Sequence, residues 1–248
     1  MARIGALDWV HVFVDVPPAT AEATRTFWSR ALCWPPGHRW EGHPEFTSLA
    51  PPEGDAFVHV QEVDDQPRVH VDVVVDDLDE ARNEVADLGA EIGTRTPGWQ
   101  TMRSPGGLPF CLCQGPAERT RPPGTRHEGG HRSRLAQVCI DAPAEVFDKE
   151  LAFWKQVTGW EVSRSGRREY VDLVGPATAP MQLLLQRLDE EDAGTRTRAH
   201  IDLGSDDRDA EAERLVALGA RYVEKFSGWI VLEDPAGLPF CVTGKSSH

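Results

Sequence analysis

A histidine-x-aspartate triplet occurs twice in this chain, as His70-Val71-Asp72 and, 130 positions later, as His200-Ile201-Asp202. On an extended strand, residues i and i+2 share a face, so each imidazole lies beside a carboxylate while the apolar residue between them points away. Such a pair suits an oriented general base, the carboxylate fixing the tautomer and raising the imidazole's basicity, which makes His70 and Asp72 the candidate catalytic pair. The same arrangement also suits a structural hydrogen-bonded pair, a role that the recurrence of the triplet favours. Further candidates alternate along apolar strands: Trp9, His11 and Phe13 in LDWVHVFVDV at 7–16, and His59 and Gln61 in DAFVHVQEV at 55–63. Trp99 and Cys111 complete the first set of candidate ligand-binding residues, and Gln137, His200, Asp202 and Trp229 form the second. Gln61 returns as Gln186 while His59 returns as Leu184, so the first set is the more polar.

The elements that must hold these residues also come in duplicate. RVHVDVVVDDLDEARNEVADLGAEI at 68–92 is echoed by RAHIDLGSDDRDAEAERLVALGARY at 198–222, and SPGGLPFCL at 104–112 by DPAGLPFCV at 234–242. Upstream the offset falls to 126, where Asp15, Phe27-Trp28 and Trp34 return as Asp141, Phe153-Trp154 and Trp160. The change of four places an insertion in the second copy between about 160 and 198, where a loop tolerates it. Each copy reads as strand, helix, three short strands, then strand, helix and final strands, with Leu78, Ala81, Val85 and Leu88 forming one helical stripe closed by Gly89. The Phe-Trp pairs belong to the core, as do Trp34 and Trp160. The expected organisation is a first module at 1–116, a Gly/Pro/Arg linker at 117–132 that is solvated rather than packed, and a second module at 133–248.

Composition bounds the function. A net charge of -14 argues against nucleic acid and anionic membrane surfaces, both of which call for clustered cations. No apolar run approaches the roughly 20 residues that span a bilayer, and the amino terminus reads as no secretory signal, so a cytoplasmic protein is expected. Five cysteines, an odd number, point to free thiols in a reducing compartment. Walker A, GxGxxG, GxSxG and HExxH signatures are missing.

The HxD strand opening each second half-module, and the D/S-P-x-G-x-P-F-C turn and strand closing it, resemble the vicinal oxygen chelate superfamily of glyoxalase-like, bleomycin-resistance and extradiol dioxygenase proteins. The resemblance implies an α+β fold of tandem modules, each of paired βαβββ units whose curled, partly open mixed sheet surrounds a cavity. It also implies ligand positions at His11, His70 and Cys111 in the first module and at Gln137, His200 and Cys241 in the second. Metal-dependent relatives have Glu on the last strand where both modules here have Cys, so a 2-His-1-carboxylate triad is incomplete. The expected function is binding of a small aromatic organic molecule in a module cavity without an essential metal, in the manner of resistance, sequestration or metabolite-binding proteins. One alternative is an isomerase, lyase or dioxygenase dependent on divalent Zn, Fe or Mn, with His11, His70 and Cys111 as ligands; another is a purely structural second module. The partner is a small molecule, and the chain is a monomer with an internal pseudo-dimer or a homodimer.

Overall fold

The computed structural model describes residues 7–115, 119–164, 166–189 and 196–245. Four βαβββ units follow one another along it. The first is β1 (Val10–Val16), α1 (Pro18–Leu32), β2 (Pro36–Trp40), β3 (His43–Leu49) and β4 (Val58–Glu62). The second is β5 (Arg68–Val75), α2 (Leu78–Asp87), β6 (Glu91–Thr96), β7 (Trp99–Arg103) and β8 (Pro109–Gln114). After the short β9 (Thr125–Arg126), the third is β10 (Arg132–Ala142), α3 (Phe147–Thr158), β11 (Glu161–Ser163), β12 (Tyr170–Val174) and β13 (Gln182–Arg187). The fourth is β14 (Arg198–Ser205), α4 (Arg208–Ala217), β15 (Arg221–Lys225), β16 (Trp229–Glu233) and β17 (Pro239–Thr243). The strands make two open mixed sheets, ordered β2-β3-β4-β1-β5-β8-β7-β6 and β11-β12-β13-β10-β14-β17-β16-β15, with β9 on β10. The fold is α+β, built of two tandem modules, as the repeats lead one to expect.

Alternation decides which face of each sheet is buried. Val10, Val12, Val14 and Val16 on β1, Val71 and Val73 on β5, and Phe110 and Leu112 on β8 have almost no exposed surface. Each such side chain contributes about 1.5–3 kcal/mol of burial, and a one-residue slip would turn the whole set outward. Register therefore sends the intervening residues Trp9, His11, His70, Asp72 and Cys111 to the opposite face. Helix ends are set locally: Asp77 accepts from the Asp79 and Glu80 amides at 2.9 Å, and Asp207 from Ala210 at 3.0 Å. Gly159 ends α3 in the left-handed region at φ 67°, whereas its counterpart Cys33 ends α1 at φ 58° with a side chain attached. No helix among the described residues is long and apolar enough to cross a membrane.

The chain divides into two compact units, and each draws on both repeats. One comprises Met1–His11, His70–Arg119 and Cys139–Ala199; the other Val12–Val69, Thr120–Val138 and His200–His248. In the first unit, Phe110 packs 5.2 Å from Trp154 and 5.8 Å from Phe153, ring centre to ring centre. The fully buried Glu150 of α3 accepts from Ser104 at 2.7 Å, from the Trp154 indole at 2.8 Å and from the Gly106 amide. In the second unit, Phe240 lies 5.2 Å from Trp28 and 5.7 Å from Phe27, and Asp234 accepts from the Trp28 indole at 3.0 Å. Asp234 also takes the Ala236 and Leu238 amides of its own turn. The Phe-Trp pairs are core, as expected, and Trp34 and Trp160 are buried too. Burial raises the Glu150 and Asp234 carboxyls above the usual range.

The joining segment departs from the expectation of a solvated linker. Residues 125–126 pair antiparallel with β10, and His127 and His131 are buried. Thr120 donates its amide to Asp55 Oδ2 at 2.7 Å, and Asp55 returns its own amide to the Thr120 carbonyl at 2.8 Å. Gly, Pro and Arg content signals solvation on average; two imidazoles with a buried carboxylate partner override it. The expected insertion between 160 and 198 lies partly outside the described residues. All five cysteines are free, in keeping with the sequence reading.

Candidate functional site

In the first unit, the parallel β5–β8 register sets Asp72 directly across from Cys111. His70 Nε2 comes within 3.3 Å of Asp72 Oδ1, an ion-pair distance without hydrogen-bond geometry, and that buried oxygen has no hydrogen-bond partner. One ligand atom each from His70, Asp72 and Cys111 lies within 4.8 Å of the others. His11 belongs to no such group among the described residues; its ring stands edge-on to Trp9, centroids 6.4 Å apart. The guanidinium of Arg119 lies over the Trp9 indole at 5.4 Å, a cation–π placement. Trp99 is half-buried on β7, paired with Cys113 across the ladder.

The electrostatics follow from this packing. Burial first, and the Arg119 charge second, hold His11 down at about 4 against the opposing pull of Asp72, so its imidazole is neutral near pH 7. Burial, reinforced by the Asp72 charge, pushes the Cys111 thiol up to about 12, and the same causes hold Cys113 well above the ordinary thiol range. Cys111 therefore stays protonated near neutrality and is no nucleophile there. Arg119 escaped the sequence reading, because an arginine in a Gly/Pro-rich stretch carries no periodicity to mark it.

The second unit holds the other candidates. Phe13 and His59 pair across the β1–β4 register and stack, centroids 4.6 Å apart at 26°. Ser48 Oγ sits 2.9 Å from His59 Nδ1 and accepts from the Trp40 indole at 2.9 Å. Trp40 and Phe46 stand 6.2 and 5.8 Å from Phe13, which makes an aromatic cluster that the sequence reading did not assemble. Gln61 pairs in register with Asp15. In the second repeat, His200 Nε2 lies 3.3 Å from Asp202 Oδ1, Cys241 stands across from Asp202, and the Gln137 amide donates to Asp202 Oδ2. Trp229 stacks on Phe226 at 4.9 Å. Ligand atoms of His200, Asp202 and Cys241 also lie within 4.8 Å of one another.

Comparisons with known proteins follow the same duplication. The glyoxalase-like domain family matches twice, over residues 11–113 and 137–243. The Mn(II)-bound glyoxalase from Novosphingobium aromaticivorans is similar over 98% of this chain and 83% of its own, with a TM-score of 0.67 and 17% identity. A halotolerant catechol dioxygenase is similar over 97% and 87%, with a TM-score of 0.59 and 15% identity. The 2,3-dioxygenase LapB from Pseudomonas sp. KL28 is similar over 94% and 90%, with a TM-score of 0.59 and 14% identity. At these identities the likeness is one of fold. A search of curated proteins found no match. Two family matches over two runs of four βαβββ units make this chain a tandem member of the glyoxalase-like domain family, within the vicinal oxygen chelate superfamily.

Proposed function

We propose that the first repeat binds a small, flat organic anion without an essential metal ion, as a sequestering or metabolite-binding protein. The observation that carries this reading is Arg119: a fixed positive charge over Trp9, beside an imidazole kept neutral. A guanidinium recognises a carboxylate or phenolate, and half-buried Trp99 offers a face for stacking. His70 and Asp72 supply a polar pair for the ligand's remaining heteroatoms. The donor set suits a divalent ion poorly. On His11, His70 and Cys111, a cation would have to displace the proton of a thiol held at about 12 and would lie near the Arg119 charge. In the second repeat Gln137 already occupies Asp202, which fits a supporting role. We take the modules to be 1–116 and 133–248, and five free thiols support a cytoplasmic setting.

A thermal-shift screen of aromatic carboxylates against their neutral amides tests the reading. A ligand at 100 times its Kd stabilises by about 2.7 kcal/mol, and the shift should vanish in Arg119→Ala. Equal shifts from acid and amide, or no shift from either, would overturn it.

One observation favours a second reading, a divalent-metal-dependent isomerase, lyase or dioxygenase using His11 and His70: the buried Asp72 Oδ1 has no hydrogen-bond partner, and a carboxylate oxygen is a ligand hard cations accept. The solved relatives named above include a manganese-bound glyoxalase and dioxygenases. Metal analysis separates the two. Near-stoichiometric manganese, iron or zinc that disappears in His70→Ala and Asp72→Ala would replace the first reading with the second.

A further inference from the structure

We propose that His127, His131 and Glu211 form a binding site for a divalent transition-metal ion of the zinc type, built by the joining segment against α4. None of these residues belongs to the strand sets described above, and the inference does not rest on the proposed function. His127 and His131 flank a tight turn: the His127 amide donates to the His131 carbonyl and the Gly130 amide to the His127 carbonyl, both at 2.9 Å. Gly130 takes φ 91° there, a conformation that favours glycine. The turn brings the two imidazoles together, centroids 4.8 Å apart and planes 35° apart. Glu211, in the first turn of α4, is fully buried beneath them.

The distances suit a common ion. His131 Nε2 lies 2.8 Å from Glu211 Oε2, and His127 Nε2 lies 3.7 Å from the same oxygen. Tetrahedral zinc ligands at about 2.0–2.2 Å stand about 3.3 Å apart, between those two values. All three ligand atoms fall within 4.8 Å of one another. Ser133 Oγ, 2.7 Å from His127 Nε2, closes a further side.

One feature distinguishes the cluster from a satisfied hydrogen-bond network. His131 is buried, yet its Nδ1 has no hydrogen-bond partner, so the ring is held by its Nε2 alone. Cys33 Sγ, 3.9 Å from His127 Nδ1, touches the ring's outer nitrogen. Arg214 opposes a cation. It donates to Glu211 Oε2 at 2.7 Å and Oε1 at 2.8 Å, but it also gives N–H groups to the Arg30 and Ala31 carbonyls at the end of α1. Affinity should therefore be modest, and two imidazoles with one carboxylate oxygen select zinc, cobalt or nickel over calcium or magnesium.

The test uses the full chain, stripped with chelator, reloaded with zinc and desalted. Wild type should retain one equivalent more than His131→Ala or Glu211→Gln, and the same difference of one equivalent should persist when these substitutions are made in the His70→Ala/His200→Ala background. Cobalt in place of zinc in that background should give ligand-field bands without a thiolate charge-transfer band, and either metal should raise Tm by on the order of 5–10 °C at 100 times its Kd. Absence of retained metal in wild type, retention unchanged by His131→Ala, or a thiolate band in the His70→Ala/His200→Ala background would overturn the proposal. Should either site variant fail to fold by circular dichroism, the wild-type cobalt spectrum and its comparison with the strand double variant decide.

Discussion

His11 and Gln137 hold equivalent places in the two repeats, and the carboxylates near them are left in different states. In the second repeat the Gln137 amide donates to Asp202, and a primary amide neither takes up nor releases a proton near neutrality. In the first, the corresponding residue is a buried neutral imidazole, and Asp72 Oδ1 has no hydrogen-bond partner. In both repeats Oδ1 of that aspartate lacks a hydrogen-bond partner, and the difference lies in the donor that Gln137 supplies to Asp202 Oδ2. A buried acceptor without a donor is destabilising, and each repeat carries one at its aspartate.

Reactivity gives the largest expected contrast. With the thiol held at about 12, Cys111 should react with iodoacetamide at pH 8 roughly a thousand-fold more slowly than exposed Cys33, read by mass spectrometry of timed digests. Comparable rates would show that the first site is open and its thiol ionisable.

Stability measurements divide the two carboxylates. Asp202→Ala leaves the Gln137 amide buried without its acceptor and should cost about 2–3 kcal/mol in urea unfolding. Asp72→Ala should cost no more than about 1 kcal/mol, since the residue in the place of Gln137 is the neutral imidazole of His11 and no amide is left stranded. Equal losses would mean that both carboxylates are structural.

The next effect is acid sensitivity. His11 titrates near 4 folded against 6.5 unfolded, so the unfolded chain binds the proton first. Its contribution is fully present above pH 6.5 and is lost as pH falls toward 4, by up to about 3 kcal/mol. His11→Gln, which copies the second repeat, should flatten that part of the stability profile. A profile between pH 4 and 6.5 unchanged by the substitution would remove the buried neutral imidazole from the account.

The smallest effect compares helix ends. Cys33 occupies at φ 58° the position that Gly159 fills at φ 67°, and Cys33→Gly should stabilise by about 1 kcal/mol in thermal unfolding. Zinc retention should survive that substitution, because Cys33 meets the outer nitrogen of His127.

Much of the element order is legible in the chain because the signals are local and repeated. Alternating valines predict β1 and β5, the spacing of Leu78, Ala81 and Val85 predicts α2, and Gly89 marks its end at φ 100°. The surroundings of Asp72 and Trp9 are less legible. The pairing of Asp72 with Cys111 follows from the β5–β8 register, whereas the Arg119 that lies over Trp9 comes from the segment beyond β8 with no pattern to announce it. His127, His131 and Glu211 converge across 80 residues, and a Gly/Pro/Arg-rich composition masks two of the three. Trp40 and Ser48 meet His59 only through the β3–β4 pairing.

The carboxylate beneath each Phe-Trp pair has changed owners: Ser104 with Glu150 in one unit corresponds to Asp234 with Thr24 in the other. In both units the helix comes from one repeat and the closing turn from the other. A gene truncated within the joining segment would therefore not yield half of a working protein. The fragment would keep Trp28 yet lose Phe240 and Asp234, and it would keep Phe110 yet lose Trp154, leaving large apolar rings bare on two unfinished bodies. A premature stop before Asp234 is thus expected to send the first half to proteolysis, and separate expression of the halves should succeed only when both polypeptides are made in the same cell.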